Sequence, residues 1–597
     1  MAGKIEDYAL IGDTQSAALV GRDGSIDWMC VPRFDSDACF AALLGDVEHG
    51  RWAIAPAGGV RRVRRRYRPG TLVLETTFET EDGVVRVVDC MPPRRRDPDV
   101  LRVIEGVEGS VPMRMDLRIR FGYGQVLPWI RREGARQVTA LAGPDALTLY
   151  TGVPVREDDD AALTAEVRVA AGDRLPFHLV WHPSAEPRPH EIDPLESLAL
   201  TEAWWRRWSA QCTYQGELRD EVLESLIVLK ALTFLPTGGI VAAPTTSLPE
   251  RLGGVRNWDY RYCWLRDATF TLLALMGAGF REEAKAWVAW LLRAVAGHPS
   301  QFHILYGPAG ERRLPEIELP WLPGYEGSAP VRIGNEAANQ FQLDVFGEVM
   351  DCLHHARTMG IPLDAEAWSL QRALLGFLEA HWRDPDEGIW EVRGPRRHFT
   401  HSKVMAWVAA DRAVRDAEGF GLPGPVDQWR RLRDEIHEEV CERGFDPARG
   451  SFTQYYGSDT LDASLLMIPL VGFLPPEDPR VIGTMESIRR ELDEGGLILR
   501  YRTDPEIEGL PHGEGVFLAC TFWLADNLAL MGRREEARRL FERLLGLRND
   551  VGLLSEEYDA GRGRLIGNFP QALSHVAIVS TAENLRGQGP AKRRQQG

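Results

Sequence analysis

Several marks of common protein classes are missing from this sequence. Its eight cysteines (Cys30, Cys39, Cys90, Cys212, Cys263, Cys352, Cys441 and Cys520) include no C-x-x-C pair, which removes support for zinc-ribbon and dithiol redox chemistry. They are scattered, several in apolar runs, as reduced and buried thiols are. No uninterrupted apolar run is long enough to span a bilayer. Glu6 and Asp7 stand where an export signal has its apolar stretch. A cytoplasmic location with no membrane partner is therefore expected. H-E-x-x-H, G-x-x-x-x-G-K-[ST] and G-x-S-x-G are all absent. Neither a metal nor a cofactor is expected, and His354-His355 reads as structural. Positive charge is the scarcer sign: 70 Lys+Arg against 87 Asp+Glu leave a net charge of -17, which disfavours nucleic acid as a partner.

What is present is aromatic and acidic. There are 18 tryptophans in 597 residues, most of them core. Arg256-Asn257-Trp258-Asp259-Tyr260-Arg261-Tyr262-Cys263-Trp264-Leu265-Arg266-Asp267 sets four aromatics among Arg and Asp. Aromatic faces stack on sugar rings, and Arg and Asp hydrogen-bond sugar hydroxyls. Two other stretches place a glutamate beside an aromatic: Trp390-Glu391, and Ser555-Glu556-Glu557-Tyr558. Cleaving a glycosidic bond takes an acid for the leaving oxygen and a second carboxylate. Glu391 lies in a turn-rich loop, where Trp390 would desolvate it and favour the neutral form an acid needs. A surface-loop glutamate is the alternative. Hydroxyls near Glu556 would keep a carboxylate ionised, as suits a base, and Glu557 competes with it. Arg266 and Asp267 head an apolar helix and read equally as an internal ion pair or as a sugar grip. Tyr325 and Arg332 lie in a further loop of sugar-binding residue types, and Glu514 is a reserve carboxylate.

The length predicts several domains. Residues 1–194 read as antiparallel β. Thr71–Phe78 and Val84–Asp89 flank a turn at Glu81-Asp82-Gly83, a hairpin signal, and further strand-like runs cover 115–121, 146–150, 163–170 and 177–181. The basic run Arg61-Arg62-Val63-Arg64-Arg65-Arg66 reads as a solvated strand or loop. Residues 195–215 form a linker helix. From 216 to 586 the apolar period becomes helical, with twelve segments at 218–235, 264–279, 282–297, 334–358, 366–383, 398–418, 425–442, 460–470, 477–493, 515–531, 533–546 and 570–586. Six such hairpins would close an (α/α)6 barrel. The tail 587–597 is expected to be disordered.

These motifs, in this order, resemble glycoside hydrolase family 15, the glucoamylase-like family, over nearly the whole chain. They include Ile5-Glu6-Asp7-Tyr8, Gly24-Ser25-Ile26-Asp27-Trp28, Pro32-Arg33-Phe34-Asp35-Ser36, Asn257–Asp267, Pro330–Gln340, Trp390-Glu391, Leu461-Asp462-Ala463-Ser464 and Leu553–Asp559 with Gly567-Asn568-Phe569-Pro570-Gln571. The resemblance is closest to bacterial two-domain members that include α,α-trehalases. It implies an N-terminal super-β-sandwich before an (α/α)6 barrel, and hydrolysis that inverts the anomeric carbon. It implies Glu391 as general acid, Glu556 rather than Glu557 as general base, and Arg266 and Asp267 as the grip on the terminal glucosyl unit. Trp264, Trp390, Tyr325 and Arg332 complete the expected sugar site. Inversion asks for carboxylates about 6.5–9.5 Å apart. Glu336 departs from the family's small residue at that place and puts the exact substrate in doubt. The expected partner is a small α-glucoside, with α,α-trehalose ahead of α-1,4 and α-1,6 glucans. A phosphorylase and an inactive sugar-binding protein are more distant rivals. A homo-oligomer stays open.

Overall fold

The computed structural model describes residues 2–587 together with 589, 591, 592 and 594. The N-terminal part is an antiparallel sheet system folded into two layers around one unusually long strand, Asp99–Arg118. Its first half pairs with Gly83–Cys90 and Arg174–Pro183. Its second half pairs with Arg51–Pro56 and Leu163–Ala170. One strand can serve both layers because the chain turns the corner at two glycines. A Cβ on Gly106 would lie 1.9 Å from the Ala170 carbonyl oxygen, and one on Gly109 (φ +70°) would lie 2.2 Å from that of Asp82. The Asp82-Gly83 hairpin forms as its sequence predicts, with Glu79 opposite Val84.

The basic run occupies Val60–Tyr67, an exposed strand whose arginines pair with Glu81, Glu79 and Glu75. Arg65 is the exception. Its guanidinium is buried and bonds Asp550 and the Asp7 carbonyl, tying the sheet to the helical part. Asn549 adds a bond to the Tyr8 carbonyl at 2.8 Å.

The helix Pro194–Ser209 follows, capped by the Asp193 carboxylate on the N–H groups of Leu195 and Glu196, with proline at its first position. Each of the twelve segments expected downstream contains a helix. Six are buried nearly all round and form an inner ring: Ala268–Gly277, Asp344–Thr358, Thr400–Phe420, the Ala463–Leu470 segment, Leu518–Leu530 and Ala572–Leu585. Successive members touch, and Ala572–Leu585 returns to Ala268–Gly277, so the ring closes. Of the six outer helices, Arg219–Ala231 is buried all round from Ser225 onward, and the other five bury one stripe only. Arg534–Leu545, for example, buries Ala537, Phe541 and Leu544. The architecture is an (α/α)6 barrel.

Two inner helices start later than their periodicity suggests. Cys263–Trp264 instead pairs as a short strand with Leu305–Tyr306. Residues 334–343 form a rim loop in which the Asn335 side chain caps a turn at Ala337. The segment near 460 is short because Asp462 caps it at Ser464. Most of the tail 587–597 lies outside the described residues. Ala591 and Arg594 are described and buried, and Arg594 Nη2 lies 2.6 Å from Asp351, so there the chain is not free in solvent.

Candidate active site

Loops at one rim of the barrel converge on a polar pocket. The first comes from the aromatic-rich stretch. Asp259 and Arg261 form a buried pair at 2.6 Å, and Arg261 also donates to the Ser36 carbonyl of the N-terminal part at 2.8 Å. The Pro32–Ser36 motif thus braces the loop that carries Trp264, Arg266 and Asp267.

Glu391 is reached from that loop. Trp264 Nε1 donates to Glu391 Oε1 at 2.9 Å, and Arg266 Nη1 stands 3.3 Å from the same oxygen. Arg266 Nε donates to Asp267 at 3.0 Å. The Glu391 backbone is left-handed at φ +57°, uncommon outside glycine. It follows Gly388, also left-handed, where a Cβ would meet the Phe399 ring at 2.7 Å. Gln340 holds the Glu391 carbonyl at 3.1 Å. Burial raises the Glu391 pKa, with Arg266 and Trp264 opposing. Its side chain retains 18% exposure, so it is not sealed off. Trp390 is fixed by bonds from Nε1 to Asp462 at 2.9 and 3.1 Å and by the Trp523 ring.

Glu556 arrives from the opposite end of the chain, just before the strand Glu557–Asp559. The Asn568 N–H donates to its Oε2 at 3.1 Å. Gly567 permits this approach, since a Cβ there would lie 2.7 Å from the same oxygen. One expectation needs correction. The Ser555 hydroxyl donates to the Glu557 carbonyl at 2.7 Å, not to Glu556. Burial and the neighbouring Glu250 push the Glu556 carboxyl up to about 8. Glu557 accepts from the Gly515 N–H at 2.8 Å and faces Arg500 at 3.3 Å.

Other expected residues fall elsewhere. Tyr325 is buried, and its hydroxyl donates to the Gly3 carbonyl at 3.1 Å and accepts from Arg564. It packs between sheet and barrel and has no face for a sugar. Arg332 donates to the Val255 carbonyl at 2.8 Å and lies 4.8 Å over the Trp258 ring; like Trp264, Arg266, Asp267 and Glu556, it stands just outside the residues that line the pocket. Glu514 is taken up by Arg500 through bonds of 2.9 and 2.7 Å. Glu336 is exposed, while its neighbours Asn335 and Ala337 line the pocket. The extra acid therefore points away from it. His354 and His355 are buried beside Asp416 and Asp351.

Among the charged lining residues, Glu250, Arg393, Arg500 and Glu508 had no local signal. Glu250, Glu556 and Glu557 each bring a carboxylate oxygen within 4.8 Å of the others, the spacing a cation would use. Arg500 Nη2, 3.0 Å from Glu250, already supplies positive charge there. Among the described residues, no helix is long and apolar enough to cross a membrane.

The sequence matches two family profiles, described as Glycosyl hydrolases family 15 over residues 216–583 and Trehalase-like, N-terminal over residues 1–177. It is 38% identical to a trehalase of Mycobacterium tuberculosis, over 96% of this chain and 88% of that one. It is 35% identical to a trehalase of Thermoplasma volcanium, over 98% and 93%. The fold superposes on a bacterial glucoamylase solved with acarbose at a TM-score of 0.75, with 12% identity, covering 100% of this chain and 96% of that one.

Proposed function

This chain belongs to glycosyl hydrolases family 15, and we propose that it hydrolyses α,α-trehalose to two glucose molecules with inversion at the attacked carbon. The observation that carries the reading is the setting of Glu391. Both donors meet Oε1, so the proton of the neutral acid belongs on Oε2. Burial favours that neutral form.

Glu391 gives its proton to the glycosidic oxygen as the bond breaks. Glu556, when ionised, takes a proton from the water that attacks the anomeric carbon from the other face. Arg266 and Asp267, already paired, hold hydroxyls of the glucosyl ring in that position. Similarity to trehalases over nearly the whole chain supports trehalose. An intracellular disaccharide also fits the reduced cysteines.

The test is kcat/KM on trehalose, maltose, maltotetraose and isomaltose, with the product anomer followed by NMR. One β-glucose and one α-glucose per trehalose, with trehalose preferred, is the expected result. Preference for the maltosides or isomaltose overturns the substrate, and retention overturns the mechanism.

A further inference from the structure

Behind Glu556 lies a carboxyl group that simple acid–base hydrolysis does not need. Glu250 closes the strand Thr246–Pro249, 306 residues before Glu556 in sequence, and is buried. Its Oε2 is 3.0 Å from Arg500 Nη2 and 4.0 Å from Arg256 Nη1. The same Nη2 stands 2.7 Å from Glu514 and 3.3 Å from Glu557. A guanidinium amino nitrogen carries two hydrogens. It cannot satisfy three carboxylates at once. The shortfall is visible at Glu557, whose buried Oε1 lies 3.3 Å from Arg500 Nη2 without making a hydrogen bond to it.

The charges point the same way. The groups facing Glu556 are Glu250, Glu557, the Arg500 guanidinium and the Tyr260 hydroxyl, which also lies near Glu391; behind them Glu514, Glu508 and Arg256 join the same ion-pair network. Counting Glu556 itself, five carboxyls on this side share two guanidiniums. Like charges this close cannot all ionise together.

We infer that Glu250 is a positioning residue of the reaction, sharing one proton with Glu556 and Glu557 and so setting the pH at which Glu556 becomes available to accept a proton from water. The inference rests on the reading of Glu556 as the base. Raised values for both Glu250 and Glu556, each with burial as the first cause, agree with it.

The experiment is the pH profile of kcat/KM on trehalose for the wild type, Glu250→Gln and Glu250→Asp. Glutamine removes the competing negative charge, so the acid-side limb moves to lower pH, by tenfold or more in proton concentration at half-activity. Aspartate withdraws the carboxylate by one methylene and moves the limb the same way by less. A purely structural role lowers activity uniformly and leaves the limb in place, which overturns the inference, as does a shift to higher pH. If Glu250→Gln does not fold, as judged by circular dichroism, Glu250→Asp decides by the same criterion. A wild type inactive on every α-glucoside would instead sink the proposed function.

Discussion

Replacing Glu391 by glutamine removes a proton and little else. The amide oxygen still accepts from Trp264 at 2.9 Å and from Arg266 at 3.3 Å. Arg266 keeps Asp267 at 3.0 Å, so no buried guanidinium is stranded. Stability should change by no more than about 1 kcal/mol, the scale of one hydrogen bond. The chemistry loses its proton donor. General-acid catalysis contributes roughly 10²–10⁴-fold, or about 3–5 kcal/mol of barrier. Glu391→Gln should therefore lower kcat on trehalose by that factor with KM little changed, because the lost interaction belongs to the transition state. The discriminating assay uses α-glucosyl fluoride, whose leaving fluoride needs no proton. Its hydrolysis should fall less than tenfold. Equal losses on the two substrates, or trehalose activity kept within tenfold of wild type, would refute Glu391 as the acid.

Glu556→Gln should lose about 10²–10⁴-fold on trehalose and on glucosyl fluoride alike, since both need an activated water, while Glu557→Gln loses far less. The reverse order of the two variants would transfer the base to Glu557. Trp390→Phe removes both indole bonds to Asp462, leaving the carboxylate with Gln454 and Ser464. It should cost about 1–3 kcal/mol in urea unfolding, and an unchanged midpoint would contradict that. His575 sits under the Glu556 loop, accepting from the Leu554 N–H at 3.3 Å on one nitrogen and facing Ser225 Oγ at 3.2 Å with the other. Burial lowers its pKa to about 3. Below the unfolded value near 6.5 the unfolded chain binds a proton that the native chain refuses, so stability falls as pH drops from 6.5 toward 3. Each unit is worth about 1.4 kcal/mol per histidine. Thermal unfolding of His575→Gln should show a shallower dependence over this window, and parallel curves would refute the assignment.

Much of this molecule is legible from short stretches. The hairpin at Asp82-Gly83 follows from β-branched runs around a residue that tolerates an unusual φ. The barrel helices follow from apolar spacing, which reports burial on one side for Ala537, Phe541 and Leu544 and on all sides for Leu518–Leu528. The pairing of Arg266 with Asp267 was readable because the two residues are neighbours in one motif. These are consequences of local geometry, and a period or a turn needs only a few neighbours to declare itself.

The environment of each side chain was not legible in that way. Glu250 and Arg500 meet across 250 residues, and no pattern near either foretells the other. Tyr325 and Arg332 have the right chemistry for a sugar, yet ring closure and the docked sheet turn them to Gly3 and Val255. Glu556 is a glutamate in any reading. That it lies among other carboxyls with too few hydrogens to share, and is therefore hard to ionise, is a property of the assembled pocket. Sequence by itself determined which segments become strands and helices and which acids were eligible. Tertiary structure decided which of those acids meet, how dry they are and how much charge surrounds them, because desolvation and Coulomb interaction depend on distance in space and not on distance along the chain.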